Sequence, residues 1–483
     1  MDSSKHDHQH SPNRFAVIPT PLRLNSNPEH TGKGVTMAFL DSGFYPHSDL
    51  VTPVNRVIAY EDLSGERQDL FAAAPAESWQ WHGTQTSVVA AGNGQLTDRV
   101  YRGLAHEAKL VLVKVSERGR ITEEKIAAGI HWVIANRERY NIRVLNISLG
   151  GDEDVPCSKS IVDQAAEEAI HHGIAVIAAA GNSGAEGRHS IPPANSPSVI
   201  TVGGYTDHNQ LSGAGLDLYH SNFGETADGT VKPEIVAPAM WVAAPILPGT
   251  KSYERAEALS RLAAARDYEL QDLARELATA AELPQRVMNA SAAEIRTFVE
   301  AALRQEKIVA AHYQHVEGTS FAAPIVSSVA AQMIEANPRL TPGAVKNILV
   351  STADRILTAP VIRQGYGMVN ARRAVELAKT EQHGLNVAGC KPPRVENGRL
   401  VFVFHDDNAH SVSVAGDFNG WSRVATPLTR NAAGLWSTEI ANPRAGRLQY
   451  KFVVNGERWL EDPSNGFKAP DNQGGLNSVL VIE

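Results

Sequence analysis

Asp41, His82 and Ser320 are residue types that can do nucleophilic chemistry together. A serine hydroxyl attacks a carbonyl usefully near neutral pH only when an imidazole takes its proton and a buried carboxylate holds that imidazole. Here the three groups stand in Asp41-Ser42-Gly43, His82-Gly83-Thr84 and Gly318-Thr319-Ser320-Phe321-Ala322-Ala323-Pro324, in the chain order Asp, His, Ser. Taken singly, each has a plainer role. An aspartate after a strand or a serine before a helix caps it, and a histidine beside glycine is a hydrogen-bonding surface residue. The joint occurrence is what points to a catalytic set.

To meet, these residues need a frame. Val35 to Leu40, Lys109 to Val115, Arg143 to Ser148, Ile174 to Ala179 and Val199 to Gly203 read as strands. Thr122 to Arg139 and Lys159 to His172 read as helices between them. Apolar strands alternating with helices predict an α/β fold with a parallel sheet covered on both faces. Asp41 then sits at the carboxyl end of a strand, where such sheets bind ligands. His82 and Ser320 each precede a helical run of small residues, Gly83 to Ala91 and Phe321 to Glu335.

The chain resembles the subtilisin-like serine proteases, the subtilases, over roughly residues 30 to 380. Val35 to Gly43 looks like their Asp motif, His82-Gly83-Thr84 like their His motif and Gly318 to Pro324 like their serine motif. The resemblance implies a serine endopeptidase with Asp41, His82 and Ser320 as the triad. Ala179-Ala180-Gly181-Asn182 is similar to the oxyanion segment and implies that Asn182 aims its amide at the developing oxyanion. Ser148-Leu149-Gly150-Gly151 looks like the strand edge that pairs with an extended polypeptide substrate. Ser190 to Pro193 aligns with a loop beside the first specificity pocket. Ile191 falls where relatives often carry glycine, which implies a shallower pocket for small or medium side chains, and Pro192–Pro193 is a candidate cis bond.

Two features depart from the family. Residues 251–312 are rich in Ala, Leu, Glu and Arg, with Leu259, Leu262, Leu270, Leu273 and Leu277 at helical spacing and a capping signal at Ser291 and Glu294. They predict a helical hairpin inserted in the protease domain, either a surface elaboration or a lid or partner-docking arm. The loop Gly92 to Asp98 does not reproduce a family calcium loop; no cofactor is expected and no metal is assigned, with calcium left as what the family resemblance alone would allow. Phe15 to Pro19 resembles the short inhibitory leader of intracellular subtilisins, with a plain terminal arm over residues 1–28 as the alternative.

After the protease domain, residues 29–380, the stretch 381–398 with Pro392-Pro393 reads as a linker. Residues 399–483 then read as a small antiparallel β-sandwich, from strands at Leu400 to Phe404, Ser411 to Ala415, Leu448 to Val454 and Ser478 to Ile482. Ala415 to Trp421, Tyr450 to Gly456, Trp459 and Asn477 resemble the glycogen-binding module of the AMP-activated kinase β-subunit. The resemblance implies that Trp421 and Trp459 stack on glucose rings while Lys451 and Asn477 bond the hydroxyls. Gln473 replaces an apolar residue of that module. A sandwich serving only protein contacts is the alternative.

At 483 residues with 43% hydrophobic content the chain buries a sizeable core. A net charge of −8 argues against a surface that tracks phosphates, so no nucleic-acid partner is expected. No apolar run reaches the length of about 18 residues needed for a membrane span. The polar N-terminus, with His6, His8 and His10 in a solvated tail, carries no signal-like apolar segment, which predicts a cytoplasmic protein. Cys157 and Cys390 fall in different domains and predict no disulfide. The chain reads as an endopeptidase tethered to α-glucan; a glucan-associated or protein-interaction scaffold with a closed protease domain is the competing reading.

Overall fold

The computed structural model describes residues 16–482 apart from 66–68, 72–75, 118, 152–154, 185–188, 212–214, 382–392, 397, 407, 432–433, 442–444, 466–467 and 472–474. Cys390, Gln473, Phe15, the tail histidines and most of the expected linker lie outside those residues.

Six strands carry the protease domain: β1 (Thr36–Asp41), β2 (Val57–Asp62), β3 (Lys109–Lys114), β4 (Ile142–Ile147), β5 (Ala175–Ala179) and β6 (Ile200–Thr206). With strand Ile235–Pro238 they pair in parallel, in the spatial order Ile235–Pro238, β6, β5, β4, β1, β3, β2, and Asp217–Leu218 adds an antiparallel edge to β6. All six residues of β1 are buried. Met37 and Phe39 face a core shared with helices Trp81–Ala91 and Thr319–Ala336, whereas Ala38 and Leu40 face a second core under helices Glu123–Tyr140 and Ile161–His171. Burial on both faces explains the unbroken apolar runs. Thr122 and Ser160 cap the latter two helices by accepting from Lys125 N and Asp163 N.

The insertion is helical but is not a hairpin. It forms four helices, Lys251–Ala264, Asp267–Glu276, Gln285–Met288 and Ala292–Gln305, around a core of its own that includes Leu259, Leu262, Leu270, Ile295 and Val299. Pro284 and the Ser291–Glu294 capping box divide what leucine periodicity alone joins. The insertion is mounted on a β-hairpin: strand Val242–Pro245 pairs antiparallel with Tyr313–Val316, so that Pro245 faces Tyr313 and Val242 faces Val316. Its base is tied down twice. Gln85, one turn beyond His82, donates to the Pro245 carbonyl at 2.8 Å, and the Tyr313 hydroxyl donates to Asp49 in the short helix Ser48–Val51 that follows β1.

The N-terminal segment behaves as an arm. Val17 is buried with its amide on the Tyr101 hydroxyl, Ile18 N donates to Asn209 at 2.7 Å, and the Arg23 guanidinium pairs with Asp207 and donates to the Met240 carbonyl. None of these bonds involves Asp41, His82 or Ser320; Phe15, which begins the leader-like segment, lies outside the described residues.

The C-terminal domain is a sandwich of two antiparallel sheets. One contains Arg394–Glu396, Arg399–His405, Leu435–Ala441 and Thr429–Arg430; the other contains Val412–Gly416, Gly446–Val454, Leu476–Ile482, Lys468–Pro470 and Arg458–Leu460. Phe402, Val414, Tyr450, Phe452 and Leu480 fill the space between them. Strand Leu435–Ala441 escapes the sequence reading because only Trp436 along it is fully buried.

Candidate functional site

Asp41 closes β1 with its side chain 1% exposed. Its Oδ1 accepts from the Ser42 amide at 2.7 Å and meets His82 Nδ1 at 2.7 Å, while the Thr86 hydroxyl donates to Oδ2 at 3.1 Å. With Nδ1 donating to the carboxylate, the lone pair of the neutral ring lies on Nε2, where a base must have it. Burial pulls the His82 pKa down, but the Asp41 charge and hydrogen bond outweigh it, and the net shift is upward from 6.5. The helix carrying His82 comes this close because Gly83 has no side chain: a Cβ there would lie 2.2 Å from the Gly43 carbonyl and 2.9 Å from Asp41 Cβ.

Ser320 is half-buried in the first turn of helix Thr319–Ala336, and the neighbouring Phe321 ring lies 5.9 Å from the His82 ring. Gly318 enters that helix at φ 133°, a conformation glycine tolerates. The Ser320 hydroxyl donates to the Ser148 carbonyl at 3.3 Å, a long and therefore weak bond for a hydroxyl donor. On the other side of the serine, the Thr319 amide and hydroxyl both donate to Asn182 Oδ1, at 2.8 and 3.0 Å. Two donors fix which end of the exposed Asn182 amide is oxygen and leave Nδ2 as its donor end.

Strand β4 ends at Ile147, so Ser148 to Gly151, the expected substrate edge, follow it, and the Gly151 amide donates to the Pro192 carbonyl at 2.9 Å, tying the edge to the Ile191 loop. A Cβ on Gly150 would lie 2.9 Å from Ile191 Cδ1, placing the Ile191 side chain directly against the edge, and Pro192–Pro193 is cis. Thr86 and Thr319 were missed by sequence reasoning. Thr86 was recoverable, four residues after His82 on the same helix face; Thr319 differs from many pre-serine threonines only in what it touches. Among the described residues, no group of three or more His, Cys, Asp or Glu side chains is placed to hold a metal ion, and no helix is long and apolar enough to cross a membrane.

In the sandwich, strand alternation brings the other predicted residues together. Tyr450 and Phe452 point into the core, so Gln449 and Lys451 take the opposite face; Trp459 pairs with Val453 and Asn477 lies two residues before Val479, the partner of Gln449. The Trp421 and Trp459 ring centroids are 6.4 Å apart at 35°. Trp421 Nε1 donates to Asp417, which also accepts from Gln449 N at 2.7 Å, tying the Trp421 loop to the sheet. Lys451 Nζ pairs with Asp471 at 2.7 Å and Asn477 Nδ2 donates to Gln449 at 2.9 Å. Asp471 and Gln449 carried no sequence signal.

The subtilase family profile matches residues 32–369, a span that includes Asp41, His82, Asn182 and Ser320. The chain belongs to the subtilase family. It is 31% identical over 354 residues to serine protease AprX of Bacillus subtilis, covering 71% of this chain and 67% of that protein. It is 34% identical over 197 residues to subtilisin E of the same organism, covering 39% of this chain and 46% of that protein. A solved structure of proteases from Pseudoalteromonas arctica gives a TM-score of 0.48 at 23% identity, covering 77% of this chain and 96% of that one. The profile of carbohydrate-binding module 48, the isoamylase N-terminal domain, matches residues 384–465. This subtilase is thus a serine protease carrying a carbohydrate-binding module.

Proposed function

We propose that Ser320 is the nucleophile of a serine endopeptidase, His82 its general base and then general acid, and Asp41 the group that fixes the imidazole tautomer. The 2.7 Å contact between His82 Nδ1 and the buried Asp41 carboxylate carries this reading, because it presets the ring for proton transfer at Nε2. Attack by Ser320 Oγ on a peptide carbonyl would place the oxyanion near Asn182 Nδ2, with the Ser320 amide as second donor. Ile191 narrows the adjoining pocket toward small or medium side chains. Ser320→Ala should abolish both peptide hydrolysis and labelling by a fluorophosphonate; labelling that persists overturns the assignment.

The C-terminal module is assigned to α-glucan of the glycogen or starch kind. Two aromatic planes beside a lysine and an amide suit the apolar faces and hydroxyls of successive glucose rings. Its role is to tether proteolysis to granules, raising the local concentration of granule-bound protein substrates. Cytoplasmic glycogen is the corresponding location.

A further inference from the structure

Pro324 lies inside the helix that begins at Thr319, four residues beyond Ser320. Proline has no amide hydrogen, so the carbonyl of Ser320 loses the donor that a helix would otherwise supply. The structure fills the gap from outside. Ser148 Oγ donates to the Ser320 carbonyl at 2.9 Å; Asn146 Nδ2 donates to Ser148 Oγ at 3.0 Å; Ser327 Oγ donates to Asn146 Oδ1 at 3.0 Å. Ser327 and Asn146 are fully buried and Ser148 is 4% exposed. Each proton in this relay has one direction in which to go: the Ser320 carbonyl only accepts, so Ser148 donates to it and accepts from Asn146 Nδ2, which turns Asn146 Oδ1 to the Ser327 hydroxyl.

We propose that Ser148, oriented by Asn146 and Ser327, is a positioning residue that replaces the hydrogen bond forbidden by Pro324 and so holds the peptide of the nucleophile in register for attack. The proposal rests on Ser320 being the nucleophile. The serine is gripped on both sides: Asn182 holds the preceding Thr319 amide, and Ser148 holds the Ser320 carbonyl, so the direction of its Cα–Cβ bond is set between two anchors. This adds a side-chain role to Ser148 beyond the backbone edge it offers to substrate. Were the carbonyl anchor lost, the first helical turn would tilt and Oγ would leave its attack position, while the backbone that binds the substrate would stay in place.

The test uses the full chain and compares Ser148→Ala, Ser148→Thr, Ser327→Ala, Pro324→Ala and the double variant Ser148→Ala with Pro324→Ala. Ser148→Ala should lower kcat by about ten- to a hundredfold, the scale expected for a small displacement of a reacting group, with little change in KM. Ser148→Thr, which keeps the hydroxyl, should retain most turnover. Ser327→Ala leaves the cleft untouched and should lower kcat in the same direction by less, so the idea remains testable if Ser148→Ala does not fold. Pro324→Ala restores an amide to the helix. In that background the Ser148→Ala change should cost less than about threefold, a coupling that simple loss of stability would not produce. Wild-type kcat in Ser148→Ala and Ser327→Ala, or fully additive effects in the double variant, overturns the anchor. Failure of the unaltered chain to react with a fluorophosphonate would instead overturn the assignment of Ser320 itself.

Discussion

In the proposed mechanism His82 must be neutral to act as a base, and its contact with Asp41 stabilises the protonated ring. The raised pKa has two consequences of known sign. Catalytic turnover should fall as pH drops through the folded-state value, which lies above 6.5. The stability contributed by the pair is fully present below the unfolded value and lost as pH rises through the folded one. A pH–rate profile for kcat/KM checks the first point. Asp41→Asn should cost on the order of 10⁴-fold in kcat, the scale found when the orienting carboxylate of such a triad is removed. Asn182→Ala should lower kcat by about 10²- to 10³-fold with KM nearly unchanged, measured on a peptide amide. At this scale Asp41, His82 and Ser320 each stand in a motif legible in the sequence; the structure joins Asp41 to His82 and sets Phe321, the neighbour of Ser320, 5.9 Å from the His82 ring. The residues that steady them were harder to see. Thr319, Asn146 and Ser327 are ordinary polar residues whose importance comes from partners more than a hundred positions away.

The elements divide between those set by local pattern and those set by tertiary context. Strands β1 and β3 to β6 were legible because burial on both faces leaves continuous apolar runs, and helix Glu123–Tyr140 because Thr122 announces its start; edge strand β2, only partly buried, leaves no such run and escapes the sequence reading. The insertion was only partly legible. Its leucine spacing gave helix, but the number of helices depends on breaks after Ala264, Glu276 and Met288 that leucine periodicity does not register. Leu259, Leu262 and Leu270 are fully buried within its separate core. Leu262→Ala should therefore destabilise the insertion by about 2–5 kcal/mol, read by hydrogen exchange in residues 251–306, with the parallel sheet remaining protected. Replacing residues 250–311 by a short turn leaves both hairpin strands intact. Peptide turnover that rises strongly in this deletion identifies the insertion as a lid; unchanged turnover identifies it as a surface elaboration.

Over the whole molecule, each module has its own core and its own candidate site. Mutations in the sandwich should accordingly alter where the enzyme acts and not how fast it cuts a free peptide. Trp421→Ala combined with Trp459→Ala should abolish co-sedimentation with glycogen while leaving kcat on a soluble peptide within about twofold, since sites without shared partners behave additively. Equal retention on glycogen by the double variant would remove the stacking role of the two rings.

The hairpin beneath the insertion has one more consequence. Its strands lie side by side at Pro245 and Tyr313, and the second strand runs into Gly318 and the Ser320 helix. It is in effect a socket: a foreign domain whose own termini are close together could be plugged in without re-threading the sheet. Ligand-driven tightening or loosening of such a domain would pull directly on the strand that leads to the nucleophile, turning this protease into a scaffold for built-to-order sensors.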